Sequence, residues 1–380
     1  MKGFSVEENS SVYGAKMKVI GVGGGGGNMI NHMIREGFVY DKVELIVANT
    51  DAQALDKSEA KTRIQLGETK VKGLGAGGKP EVGKESAEES YDEIKNQLDY
   101  ADIVFIGSGF GGGTGTGAAP VVARAAKENK SLTIGIVTTP FAFEGLKRMK
   151  QAKAGIEELK KECDSIIVIP NEKLLSLVNP KEAGIKDCFK LVDNVLMRAV
   201  NGMVSVIMNS GKSDVNVDFA DVKTVMSHRG IAIMGVGVSE GDEAVNEALK
   251  DALQSPLLDD ISIDGAMGVL VHFRINTKCS LLEISKAMTM VQAAASDEAD
   301  IIFGTTTDES IENNRVEVTL IATGFEPPKT GEKDDGGKEE PHDFRKDFIK
   351  KMRAASGSDF TSDDYDEMDR EPAYTRNRMD

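Results

Sequence analysis

The chain has 380 residues, 40% of them hydrophobic, with 46 Lys plus Arg against 62 Asp plus Glu, a formal charge of −16. That length suffices for two domains and a tail; no apolar run nears the roughly 18 residues of a membrane span, and so acidic a chain is ill suited to gripping nucleic acid through its phosphates. Three dispersed cysteines, Cys163, Cys188 and Cys279, have neither the pairing nor the spacing of a disulfide framework or a zinc site, and the polar N-terminus lacks the basic-then-apolar order of a secretion signal; the expectation is a cytoplasmic protein.

Residues 1–15 form a polar lead. Lys16 to Ile20 predicts a strand that runs into a glycine loop, Gly21 to Asn28, followed by a helix from Met29 to Glu36 and a strand from Val43 to Ala48 that ends in Asn49-Thr50-Asp51. Strand, glycine loop, helix and strand make a βαβ unit with a parallel sheet. A second glycine-rich loop spans Gly73 to Pro80, and Ser86 to Leu98 is helical in composition. The apolar run Ile103 to Ile106 predicts a buried strand. It leads into Gly111-Gly112-Gly113-Thr114-Gly115-Thr116-Gly117 and then a helix from Ala118. Leu132 to Val137 and Ser165 to Ile169 predict further strands, with a basic amphipathic helix from Gly145 to Lys161 between them. The alternation predicts an open parallel sheet with helices on both faces, in which ligands gather at the C-terminal strand ends.

Ile185 to Asn209 carries apolar residues at steps of three and four and predicts one long helix. A shorter helix from Asp218 to His228 follows. From Ile231 onward, strands at 231–238, 269–275, 300–305 and 316–323 alternate with helices at 242–253 and 281–295. This predicts a smaller α/β domain with a mixed sheet. Residues 326–380 hold 11 basic and 16 acidic residues and few apolar ones, the composition of a disordered linker and tail. The tail ends in Glu371-Pro372-Ala373-Tyr374-Thr375-Arg376, where an aromatic amid charges suggests a docking peptide.

Glycine-dense turns between a strand and a helix expose backbone N–H groups at a positive helix end, the requirement for holding phosphate. Gly21-x-Gly23-x-x-Gly26 fits the dinucleotide fingerprint, but five consecutive glycines fit several templates. The loop at 111–117 decides more, because two glycine loops at adjacent strand ends, with a third at 73–80, suggest a triphosphate gripped from several sides. The Walker pattern is absent: Gly211-Lys212-Ser213 would need glycine where Val206 stands. Glu144 and Arg148 share a helix face, as a surface ion pair or as ribose contacts. Phe189 and Asp193, also four apart, are either a core aromatic with a solvated acid or a base-stacking ring with an acceptor for guanine's two N–H donors. Asp218 and Asp221 fit ordinary helix-start chemistry or two carboxylates that orient an attacking water. From Asp193 to Asn209 a helix advances about 24 Å. Such acids would then serve the nucleotide of a neighbour stacked head to tail, a heterologous contact that gives an open filament.

Together these residues resemble the FtsZ family of tubulin-like cell-division GTPases. The resemblance runs from about Lys16 to Phe325, carried by Gly21 to Asn28, Ala48 to Gln53, Gly73 to Gly83, Gly111 to Gly117, Pro140 to Arg148, Ile169 to Asn171 and Asn216 to Asp221. It implies a two-domain tubulin-like fold. Residues 16–184 would form a GTP-binding domain, 185–210 a central helix, 211–325 a C-terminal α/β domain, 326–370 a linker and 371–380 a docking peptide. GTP would lie on Gly23, Gly24, Gly25, Gly26, Gly27 and Asn28, and on Gly109, Gly111, Gly112, Gly113, Thr114, Gly115 and Thr116. Asn49 and Asp51 would assist, and the terminal phosphate would face Ala76, Gly77 and Gly78. Glu144, Arg148 and Asn171 would contact ribose and base edge, Phe189 would pack on guanine and Asp193 would read it. Asn216, Asp218 and Asp221 would complete hydrolysis in the next subunit's pocket, with Mg2+ on the phosphates. Filaments would form the midcell ring, tethered to membrane-bound division proteins through Pro372, Ala373, Tyr374 and Arg376. The competing readings are an NAD(P)-dependent oxidoreductase built on the first loop and a nucleotide-binding scaffold without chemistry.

Overall fold

The computed structural model describes residues 15–38, 42–175, 184–208, 218–228, 230–258, 263, 265–276, 279–308, 311 and 314–325. The N-terminal lead up to residue 14, Asn216, and the linker and docking peptide lie outside them.

The first strand, β1 (Met17–Val22), buries every residue but Lys18 and pairs in parallel on both edges. On one edge lies β2 (Val43–Asn49), in register from Met17 opposite Val43 to Val22 opposite Ala48. On the other lies β4 (Ile103–Gly109), from Met17 opposite Ile103 to Val22 opposite Ser108. The chain therefore builds outward from β1 through β2 to β3 (Thr62–Gln65), then returns and builds the other way through β4, β5 (Leu132–Thr139) and β6 (Ser165–Pro170). Between β1 and β4 the winding reverses, and the crevice at such a reversal is where open parallel sheets bind ligands. Both long glycine stretches follow these two strands.

Helices cover both faces. On one side lies α1 (Gly23–Arg35). On the other lie α3 (Pro80–Glu89), α4 (Tyr91–Gln97), α5 (Thr114–Glu128) and α6 (Leu146–Glu162). Two short helices follow strands, α2 (Ala52–Asp56) after β2 and α7 (Asn171–Leu174) after β6. Three expectations change. The helix expected from Met29 starts six residues earlier, so Gly23 to Gly27 is the first turn and a half of α1 rather than a loop. The helical stretch 86–98 is two helices that meet at Ser90, the first entered through Pro80 at its N-terminus. Strand β3 was not expected, because only Ile64 of its four residues is buried and a four-residue edge strand leaves little periodic signal.

The long helix α8 (Ile185–Met208) spans about 36 Å. By length and composition alone it is long and apolar enough to cross a membrane. Its apolar face is inside the protein instead: Val192, Leu196, Val200, Met203 and Val204 share one core with Phe105, Ile134 and Ile167 of the first half and with Met234, Leu270 and Ile321 of the second. After α9 (Phe219–Met226) come β7 (Gly230–Ser239), α10 (Ala244–Leu253), β8 (Gly268–Ile275), α11 (Leu281–Ala294), β9 (Asp300–Thr307) and β10 (Val316–Thr323). Here β10 runs antiparallel to β7 and β8 while β8 and β9 are parallel, the expected mixed sheet. The two halves share one ten-stranded sheet, since β7 pairs in parallel with β6 from Ser165 opposite Gly230 to Ile167 opposite Ala232. Because Gly230 sits opposite the start of β6, the chain re-enters the sheet at the edge away from the C-terminal strand ends.

Candidate functional site

Among the described residues, Asp51 caps α2, Asp218 caps α9 and Ser280 caps α11 with a side chain, while α3, α4, α6, α7 and α10 have no such cap. The helices after the two glycine stretches have none. Neither Val22 at the start of α1 nor Gly113 at the start of α5 supplies a side-chain cap. Each leaves a turn of N–H donors and a partial positive charge open to a ligand. The two ends meet: a Cβ on Gly23, whose φ is +74°, would lie 2.7 Å from the backbone nitrogen of Gly115. Only glycine allows that approach.

The glycines of the site divide by what surrounds them. Gly23, Gly26, Gly113, Gly115 and Gly117 pack against backbone and admit no side chain. At Gly24, Gly112, Gly77 and Gly78 an added Cβ would meet nothing within 4 Å. The second group outlines a cradle of backbone with room for an anion. Gly25 sits against Gly109, which joins the two stretches. Asn28 is an exposed residue of α1.

The end of β2 closes one side. Asn49 is buried, and its Oδ1 accepts the Asp51 N–H at 3.3 Å. Asp51 in turn caps α2, accepting from Gln53 N at 2.9 Å and Ala54 N at 3.3 Å. Both side chains are thus committed to shaping the turn. That turn carries Thr50, whose Oγ1 lies 2.6 Å from Thr114 Oγ1 at the first position of α5. Thr50 O also accepts Gly75 N at 3.1 Å, and Gly73 O accepts Ala52 N at 3.1 Å, which ties the 73–80 loop to β2. Within that loop Ala76 is buried, while Gly77 and Gly78 have φ of +58° and +71°. Thr116 is buried as well, and its Oγ1 accepts the Gly111 N–H at 2.8 Å. Both threonine hydroxyls of the 111–117 stretch are engaged: Thr114 links loops and Thr116 holds the turn.

Beyond the cradle, Arg148 Nη1 donates to Glu144 Oε2 at 2.6 Å, and Glu144 Oε1 accepts Phe141 N at 3.0 Å. The ion pair weighed from the spacing is formed, and Arg148 stays more than half exposed. Phe141 is buried and meets the Phe189 ring edge-on, with centroids 5.6 Å apart. Phe189 is not a core residue: it is 42% exposed, a free aromatic face at the start of α8. One turn further on, burial pushes the Asp193 carboxyl up to about 7, because no partner offsets its lost hydration. Asn171, at the end of β6, is buried, and its Oδ1 meets no hydrogen-bond partner among the described residues. An open ring, a desolvated carboxyl and an orphaned amide oxygen form a surface that offers stacking and acceptors, suited to a base edge rich in donors. Sequence reasoning missed Thr50, although it stands inside the quoted Asn49-Thr50-Asp51 signal.

Asp218 and Asp221 are both exposed. Asp218 Oδ1 accepts Ala220 N at 3.3 Å, the ordinary capping geometry. They follow α8, whose start carries Phe189 and Asp193, and precede the far-edge entry at Gly230.

A parallel sheet with two uncapped helix ends at its winding reversal, joined by a long shared helix to a mixed-sheet half, defines a tubulin-like nucleotide-binding protein. The model of the Tubulin/FtsZ family, GTPase domain, matches residues 16–179, and that of the FtsZ family, C-terminal domain, matches residues 230–326. Among solved structures, an empty FtsZ dimer from M. jannaschii is 44% identical, covers 82% of this chain and 88% of its own, and superposes with a TM-score of 0.77. The CetZ2 GTPγS-bound protofilament from Haloferax volcanii is 21% identical (90% and 98% coverage, TM-score 0.68). The CetZ1 GDP-bound monomer from the same organism is 20% identical (82% and 94%, TM-score 0.69). Both share the fold. The chain belongs to the FtsZ family, and its GTPase domain brings GTP and GDP binding as a family property; nothing supports the oxidoreductase reading.

Proposed function

We propose that this chain hydrolyses GTP in a site shared between successive subunits of a head-to-tail filament. The observation that carries the proposal is the pair of uncapped, touching helix ends at the β1–β4 crevice, with acceptors for guanine beside it. The phosphates lie across Gly24 to Asn28 and Gly109 to Thr116, the terminal phosphate faces Ala76 to Gly78, and Glu144 and Arg148 border the ribose. Phe189 packs on the base, and Asp193 with Asn171 reads its donors. Backbone dipoles offset only part of a triphosphate's charge, and the Asp51 carboxylate at the end of β2 caps α2. Mg2+ therefore belongs on the phosphates themselves, where it supplies charge neutralisation during phosphoryl transfer.

Asp218 and Asp221, with Asn216, orient the attacking water in the neighbour's pocket. Three observations support this. The acids are exposed, they follow a helix that carries the chain some 24 Å from its own base site, and they precede Gly230, where the chain re-enters the sheet opposite the start of β6. The FtsZ dimer and the CetZ2 protofilament are relatives that self-associate. In the cell the filament is cytoplasmic, forms the midcell ring, and is held by division proteins at the membrane through Pro372, Ala373, Tyr374 and Arg376. Light scattering after addition of GTP with Mg2+ should rise, and addition of ATP should leave it flat. Equal responses to both nucleotides would remove Asp193 as the base reader.

A further inference from the structure

We propose that Gln151 is a positioning residue that sets the 76–79 loop over the phosphate cradle and thereby sets the preference for GTP over GDP. The inference rests on the reading that this loop faces the terminal phosphate. It starts from what α6 touches. A Cβ on Gly111 would lie 3.1 Å from Arg148 O, and one on Gly155 would lie 2.5 Å from Thr116 Cγ2. So α6 packs directly on the 111–117 stretch, near its start through Arg148 and one to two turns on through Gly155. Gln151 stands between these contacts, three residues after the first and four before the second, on the same helix face. Its Nε2 donates to Gly78 O at 3.2 Å. A carbonyl only accepts, so the amide nitrogen must face it.

The loop needs such an index. Gly77 and Gly78 both have positive φ, and a side chain added to either would meet open space, so the middle of the turn has no side chain of its own to pack. The Lys79 N–H to Ala76 O bond at 3.1 Å closes the turn, and the Gly75 N–H to Thr50 O bond fixes its entry. Gly113 packs against Lys79 N and Ala76 from below. Gln151 is the side chain that reaches the turn from α6, the helix that already seats the 111–117 phosphate stretch. One helix thus fixes the distance between the two parts of the cradle. A diphosphate, which does not extend to the 76–79 turn, is indifferent to that distance, whereas a triphosphate is not.

The test compares affinities for GTPγS and GDP, measured on the full chain below the concentration at which scattering rises. Gln151→Met keeps the side-chain length and removes the donor. GTPγS binding should weaken about three- to tenfold, the range of one neutral hydrogen bond, with GDP affinity unchanged; the retained GDP affinity also shows that the variant is folded. Equal weakening of both nucleotides, or of neither, overturns the proposal. Gly77→Ala strains the loop directly and separates the two levels of the argument. If Gly77→Ala lowers the GTPγS to GDP ratio while Gln151→Met does not, Gln151 has no such role but the loop still reads the terminal phosphate. If neither variant changes the ratio, the reading of the loop itself fails.

Discussion

At the scale of single residues, Asp193 is the group proposed to read the base. In the free protein burial pushes its carboxyl up to about 7, so protonation competes with a base that donates two hydrogen bonds to the ionised form. GTP affinity should therefore be flat above pH 7 and fall about tenfold per unit below it, and Asp193→Asn should bind weakly with no such slope. The sign for stability is opposite. A carboxyl whose folded-state pKa is raised costs stability once pH exceeds its unfolded value. Asp193→Asn should thus unfold at higher denaturant than the parent above pH 7, with the advantage vanishing toward pH 4. The glycines allow a second contrast. Gly23→Ala meets both a positive φ and the backbone of Gly115 and should cost about 1–3 kcal/mol in equilibrium unfolding. Gly24→Ala meets open space; it should fold as stably as the parent or better and still lose nucleotide affinity, because the added methyl occupies the cradle. The i,i+4 spacing of Phe189 and Asp193 was legible in the sequence. The link between Thr50 and Thr114 was not, since it joins residues 64 apart through folded geometry, and neither was the orphaned Asn171 oxygen.

At the scale of elements, strongly periodic or densely apolar segments were legible almost to their ends: α8, β5 and β10 fall within a residue or two of expectation, and β4 starts where expected but runs three residues further. The misses have a common cause. Propensity penalises glycine in a helix by about 1 kcal/mol each, so Gly23 to Gly27 suggested a loop; packing on β4 repays that penalty, because Gly26 fits directly against the carbonyl of Gly107. The β6 to β7 pairing was equally hidden, since it joins segments more than 60 residues apart. It has a measurable consequence. One core reaches from Phe105 through Met203 to Ile321, so the two halves should unfold together. Denaturation followed by near-UV and far-UV signals should give coincident transitions, and Met203→Ala, deleting a fully buried side chain, should shift both by about 2–5 kcal/mol. Two separate transitions would mean that α8 joins independent domains.

At the scale of the whole molecule, the order of elements separates what the site needs from where the chain supplies it. In the proposed site, phosphate and base contacts collect at the C-terminal ends of β1, β2, β4 and β6, while the exposed pair Asp218 and Asp221 follows α8. Under the proposed function a single subunit binds GTP but does not hydrolyse it. Stacking in one direction would join each cradle to the next subunit's acids, and hydrolysis would then report assembly. The most direct test is GTP hydrolysis per subunit as a function of protein concentration, with Asp218→Ala measured in parallel. The rate should be near zero below a threshold, rise with assembly above it, and be lost in Asp218→Ala even though that variant still binds GTP. A rate per subunit that is independent of concentration, with Asp218→Ala fully active, would contradict the shared site.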